Sequence, residues 1–223
     1  MKKLFLLFLI AATCMANQCG KEPCENAPAC DSVELGTLNL SPASASAIPF
    51  QGHETVTFVN NQGFRANFQA QGFKNNTDAN FQVRSLDNCG ICWEFYHLES
   101  SSLTFQGSNL NFSFTYNRLK NLPEQPNSAV PDPTTAGDAL ALTLGPIRFA
   151  VPLTSEPIAL NTFTEFRLRD SVTLGPKTYF QVYEVVAPNI SAASEILPKG
   201  IYYTRKEGLV GYYFTNSELW YRQ

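Results

Sequence analysis

The 223-residue sequence is poor in charge: Asp, Glu, Lys and Arg make up 16% of it, and the formal net charge is -3. No run of basic residues occurs, which excludes the electrostatic footprint of a nucleic-acid or anionic-membrane binder. Long apolar runs are missing too. The longest, Leu4 to Ala12, falls far short of the roughly 20 residues that a membrane-spanning helix needs. No window carries a 3.6-residue stripe, and Ser191 to Leu197 is the single short helix expected. With two histidines in all, there is no Gly-x-Ser-x-Gly elbow and no His-Glu-x-x-His pair. A phosphate-binding glycine loop, an Asp-x-Asp-x-Asp-Gly calcium loop and a marked pair of carboxylates are likewise absent. No cofactor, no metal and no catalytic residue is therefore assigned.

The N-terminus has a definite layout. Lys2 and Lys3 precede the apolar run, and small and polar residues follow it, so residues 1–18 read as a secretory signal peptide. The protein is expected to be exported, to an outer membrane or cell surface if lipidated and otherwise to the periplasm or medium. Cys14 and Cys19 are lipidation candidates, and an acyl chain at either would make the membrane a partner. Ala11-Ala12-Thr13 places Cys14 at the right distance from the apolar run. Parity favours Cys19, because acylation there leaves Cys24, Cys30, Cys89 and Cys92, an even set. Ordinary cleavage after Ala16 is the competing outcome.

Residues 19–34 lack a periodic apolar pattern and read as a disulfide-bearing tether. Beyond them the period is two. Phe64, Ala66, Phe68 and Ala70 alternate with Arg65, Asn67, Gln69 and Gln71, the pattern of a half-buried strand. Asn60-Asn61-Gln62-Gly63 joins this strand to TVTFV as a hairpin. Leu110, Phe112, Phe114 and Tyr116 repeat the alternation, and short strands at about ten-residue spacing continue to the end. The fold class is all-β, an antiparallel β-sandwich or open barrel with at most one short helix. Residues 35–223 are expected to form one β-rich domain, interrupted by a proline-rich loop at 121–138.

The stretch DNCGICWEFYH, Asp87 to His97, is the most chemically loaded. A thioredoxin-like site wants a strand running into a helix and tryptophan before the first cysteine, whereas Trp93 follows the second and a strand pattern continues. A c-type haem needs histidine where Trp93 stands. Zinc on Cys89, Cys92 and His97, with Cys24, Cys30 or His53 as the fourth ligand, has no recognised spacing, and exported thiols oxidise. Cys24, Cys30, Cys89 and Cys92 are thus read as disulfide cysteines, with all three pairings open. His97 shares a strand face with Glu99 and is a candidate binding residue, or the centre of a hydrolase site with a serine such as Ser113.

Tyr202, Tyr203, Tyr212, Tyr213, Trp220 and Tyr221 crowd the C-terminus. Adjacent aromatics on a strand point to opposite faces, so one set belongs to a core and the other, with Trp220 as candidate, could present rings to a ligand. The ending GIYYTRKEGLVGYYFTNSELWYR and the Cys19-Gly20-Lys21-Glu22 start resemble small exported lipoproteins of the Bacteroidetes type. The resemblance implies cell-envelope placement and a β-rich fold, and carries no site residue. The expected function is non-enzymatic: binding of an extracellular ligand, or surface structure. The alternatives are an extracytoplasmic hydrolase around His97 and an open barrel carrying an apolar ligand.

Overall fold

The computed structural model describes residues 31–86, 92–108, 112–121, 137–153, 165–187 and 196–223. They are nearly all antiparallel sheet, as the period-two patterning predicts. In chain order the elements are β1 (Val33–Leu38), α1 (Pro42–Ala45), β2 (Thr55–Asn60), β3 (Arg65–Ser85), β4 (Trp93–Gly107) and β5 (Ser113–Asn121). Then come β6 (Gly137–Leu144), β7 (Ile147–Pro152), β8 (Glu165–Leu174), β9 (Lys177–Val186), β10 (Pro198–Thr204), β11 (Gly208–Phe214) and β12 (Leu219–Arg222). The expected helix at 191–197 falls largely outside the described residues, and the helical turn α1 lies instead inside Ser41 to Gly52.

The strand order is β7-β6-β5-β4-β3-β2-β12-β11-β10-β9-β8, with β1 beside β4. Nearly every neighbour in this order is also a neighbour in sequence, so the path is two up-and-down meanders. They join where β12 pairs with β2, Trp220 opposite Asn60 and Arg222 opposite Phe58. The proline-rich segment does not divide the sheet. Asn121 pairs with Gly137 and Lys120 with Asp138, so residues 122–136 connect two neighbouring strands.

Compactness separates two units, residues 1–35 with 82–96 and residues 36–81 with 97–223. In the larger unit the sheet is nearly closed and barrel-like. Closure follows from β7, at one end of the order, coming alongside β9 and β10 rather than the terminal β8. Arg205 Nη2 helps hold that seam by donating to the Leu153 carbonyl at 2.6 Å. In the smaller unit, Leu86 N donates to the Cys92 carbonyl at 2.8 Å and Trp93 N to Ser32 Oγ at 3.1 Å.

The inward residues of the alternating strands form one aromatic-rich core. Phe58, Phe68, Phe105, Phe114, Tyr116, Tyr203 and Tyr212 are all at most 1% exposed, as are Leu103, Leu140, Leu142, Leu144 and Phe149. Phe105 and Phe114 stack at 4.7 Å, and Phe58 meets Phe68 and Phe114 edge-on at 5.8 and 6.0 Å. Such offset and edge contacts add roughly 0.5–1.5 kcal/mol per pair to the burial itself. Two of the buried phenols are hydrogen-bonded: Tyr116 Oη accepts from Leu209 N at 2.7 Å, and Tyr203 Oη donates to the Ala47 carbonyl. Of the predicted apolar face of β3, Ala66, Phe68 and Ala70 are buried. Phe64 is 64% exposed because it precedes the strand, in the turn capped by Asn60 Oδ1.

A second, smaller cluster lies on the outward face. Leu174, Tyr179, Val182 and Val210 are buried there against Val172, Tyr202, Leu219 and Tyr221. Tyr179 and Val185 have the same parity on β9, yet one joins the outer cluster and the other the inner core. The strand must therefore flip between them, and Gln181, with φ 51, is where it does so. The β8–β9 turn rests against the sheet so closely that a Cβ on Gly175 would stand 2.2 Å from the Tyr221 ring. Tyr179 Oη donates to the Arg222 carbonyl at 3.1 Å, and Lys177 pairs with Glu207.

Candidate functional site

The most distinctive polar cluster in the larger unit centres on Asp138, second residue of β6. Its carboxylate is 4% exposed, and each oxygen faces a partner. Oδ1 faces Lys120 Nζ at 2.7 Å, its partner across the β5–β6 ladder. Oδ2 accepts from Ser41 N at 2.7 Å and from Ser41 Oγ. Burial pushes the carboxyl upward, but the hydrogen bonds from Lys120 and Ser41 outweigh it and hold Asp138 below the ordinary carboxylate range. Ser41 is the N-cap of α1 with Pro42 at N1, a sound helix start. Its hydroxyl serves Asp138 instead of capping the turn.

This cluster straps the segment 39–50 to the sheet. Leu40 N donates to Glu99 Oε2 at 2.6 Å, Tyr203 holds the Ala47 carbonyl, and Phe50 packs edge-on to Phe105 at 4.9 Å. A small cleft beside the strap, about 90 Å³, is lined by Ser41, Ser44, Asp138, Leu153 and Arg205. That is room for a few waters, well below the roughly 300–1,000 Å³ of small-molecule sites. With both Asp138 oxygens already paired, the arrangement is a latch.

The other sequence candidates are scattered. Cys14, Cys19, Cys24, Cys30 and Cys89 lie outside the described residues, and Cys92 is buried at 1% exposure. His97 is half-buried on β4. Glu99 is occupied by the Leu40 amide. Ser113 sits opposite Gln106, nine residues along β4 from His97, a separation of about 30 Å along the strand. The structure does not bring His97 and Ser113 together. His53 is exposed; its amide, with those of Gln51 and Gly52, donates to the Glu54 carboxylate. Burial raises the Glu54 pKa, but these bonds outweigh it and leave the carboxyl below its usual range. Among the described residues no group of three His, Cys, Asp or Glu is gathered for a metal.

Trp220 is 8% exposed and stacks on Tyr212, with Nε1 bonded to Glu218 Oε1 at 2.9 Å. Its ring therefore offers little surface to a ligand. The outward tyrosines are partly covered as well. Tyr202 and Tyr213 lie 5.7 Å apart, and burial pushes the Tyr213 phenol up to about 12. What sequence reasoning missed is Asp138, read only as the end of a proline-rich loop.

The fold and its latch define a class: an all-β protein with a nearly closed, core-filled antiparallel sheet. No protein-family model matches the chain, nor does any curated protein or solved structure.

Proposed function

We propose that this is a non-enzymatic, exported β-rich protein of the cell envelope or its surroundings, serving binding or surface structure. The observation that carries the reading is the use of polar side chains. Asp138, Glu99, Glu54 and Glu218 each accept main-chain or indole donors, or cross-strand partners, that fix the fold. A hydrolase would instead need a base and nucleophile within hydrogen-bond reach of one another. The ring-packed inner core supports the same reading over an apolar-ligand carrier, which needs open volume inside the sheet.

The N-terminal layout and the resemblance to exported lipoproteins of the Bacteroidetes type support export, with a lipid anchor at Cys14 or Cys19. The burial of Cys92, at 1% exposure, together with the oxidising compartment that export implies, supports a disulfide with one of Cys24, Cys30 or Cys89.

Glu99 provides the test. As a structural acceptor, its replacement in Glu99→Ala is expected to destabilise the protein by about 1.5–3 kcal/mol, the range for a hydrogen bond to a charged group. Catalytic carboxylates commonly sit at a cost to stability. A Glu99→Ala protein that melts above the parent would contradict the proposal and favour the hydrolase.

A further inference from the structure

The strand β8 is exposed along most of its length. All of its residues up to Ser171 are exposed, including Phe166 at 48% and Leu168 at 60%. The reason lies in the closure of the sheet. Phe166 is opposite Val185 and Leu168 opposite Tyr183, so both continue the inward row of β9. Because β7 comes alongside β9 and β10, that row is covered on β9 and uncovered on β8. Among the described residues β8 has one partner strand, and none of them pairs with the main-chain donors and acceptors of its far edge.

The charges on this edge are self-complementary. Glu165, Arg167 and Arg169 share the face opposite to Phe166 and Leu168. Arg169 is bound to Glu184 through Nε at 2.8 Å and Nη2 at 2.6 Å, whereas Glu165 and Arg167 make no ion pair among the described residues. Read antiparallel against itself, the run Glu-Phe-Arg-Leu-Arg places acid against base and apolar against apolar at both ends.

We propose that β8 is the interface of a two-fold symmetric homodimer, pairing antiparallel with β8 of a second copy about an axis at Arg167. Glu165 of each copy then stands opposite Arg169 of the other, and Phe166 opposite Leu168, each pair occurring twice. The two Arg167 side chains meet at the axis, and each has Glu184 directly across on its own β9 to offset the repulsion. Pairing extends the sheet across the axis, satisfies the edge and covers the four apolar rings and branches. An isologous contact of this kind closes on itself, so the assembly stops at two copies.

Sedimentation velocity of the full chain tests this. A dimer is expected, and Glu165→Arg or Arg169→Glu alone should weaken it at least about tenfold by setting like charges opposite one another. Mixing the two variants should restore association, because each then supplies the charge the other lacks. Circular dichroism of each variant checks that the fold is retained. A parent that stays monomeric up to about 100 µM overturns the proposal, as does a dimer that neither variant affects. Arg167→Cys reads the axis: the two sulfurs would face each other across a pair with Cα atoms about 5 Å apart, which suits a disulfide. Cross-linked dimer under mild oxidation supports the register, and a dimer that fails to cross-link overturns it.

Discussion

Phe114→Ala is expected to lower the unfolding free energy by about 3–5 kcal/mol, the range for emptying a fully packed aromatic site. Phe114 is 1% exposed and touches four other rings: it stacks on Phe105 at 4.7 Å and meets Phe68, Tyr116 and Phe58 at 5.2, 5.8 and 6.0 Å. These neighbours belong to β2, β3, β4 and β5, all tied into one ladder, so they have little freedom to collapse into the space. Urea unfolding followed by tyrosine and tryptophan fluorescence measures the change. A loss under about 1 kcal/mol would mean that the site relaxes and that the core is not a packed aromatic cluster.

Asp138→Ala is expected to cost about 3 kcal/mol, because it strands the largely buried Lys120 ammonium and leaves the Ser41 amide without its acceptor. Its pH dependence is distinctive. The folded protein holds Asp138 below its unfolded carboxyl value, so the carboxylate contributes stability above the unfolded pKa, near 4, and loses it as pH falls through the folded value. The difference in melting temperature between parent and Asp138→Ala should be constant from about pH 5 to 8 and shrink below about pH 4. A difference independent of pH down to about 2 would show that the ionised form is not what the latch uses.

Strand identity was readable in the sequence where one face is buried and the other wet. The hairpin around Asn60 to Gly63 formed as expected, with the polar alternates paired across it: Thr55 Oγ1 with Gln69 Oε1 at 2.7 Å and Thr57 Oγ1 with Asn67 Oδ1 at 2.8 Å. Strand length was less readable. β3 runs on through Lys74-Asn75-Asn76-Thr77-Asp78, a composition that suits turns, because pairing with β4 overrides local preference. The outer cluster was hidden for another reason. Nothing local announces that the β8–β9 turn will lie on Tyr221 and Gly211, since the approach depends on a strand flip at Gln181 and on missing side chains at two glycines.

The latch was hidden by distance. Asp138 closes a proline-rich segment in the sequence, and its partner Ser41 is 97 residues away. Only the ladder, by setting Lys120 opposite Asp138, turns that carboxylate into an anchor. His97 stood out for sharing a strand face with Glu99, and Trp220 for the aromatic crowding at the C-terminus, but neither pattern tells which face of a strand is covered. Trp220 entered the aromatic wall because β12 pairs between β2 and β11, which covers its inward side chain.

The intact mass of the native protein, before and after reduction, tests the central claim of an exported, disulfide-stapled β-protein most directly. A chain shortened by its first 13 to 18 residues is expected, with an added acyl mass if Cys14 or Cys19 is the anchor. Reduction should then add about two mass units for each disulfide, one of them involving Cys92. A chain that keeps Met1 to Gln18 and gains nothing on reduction would contradict the account.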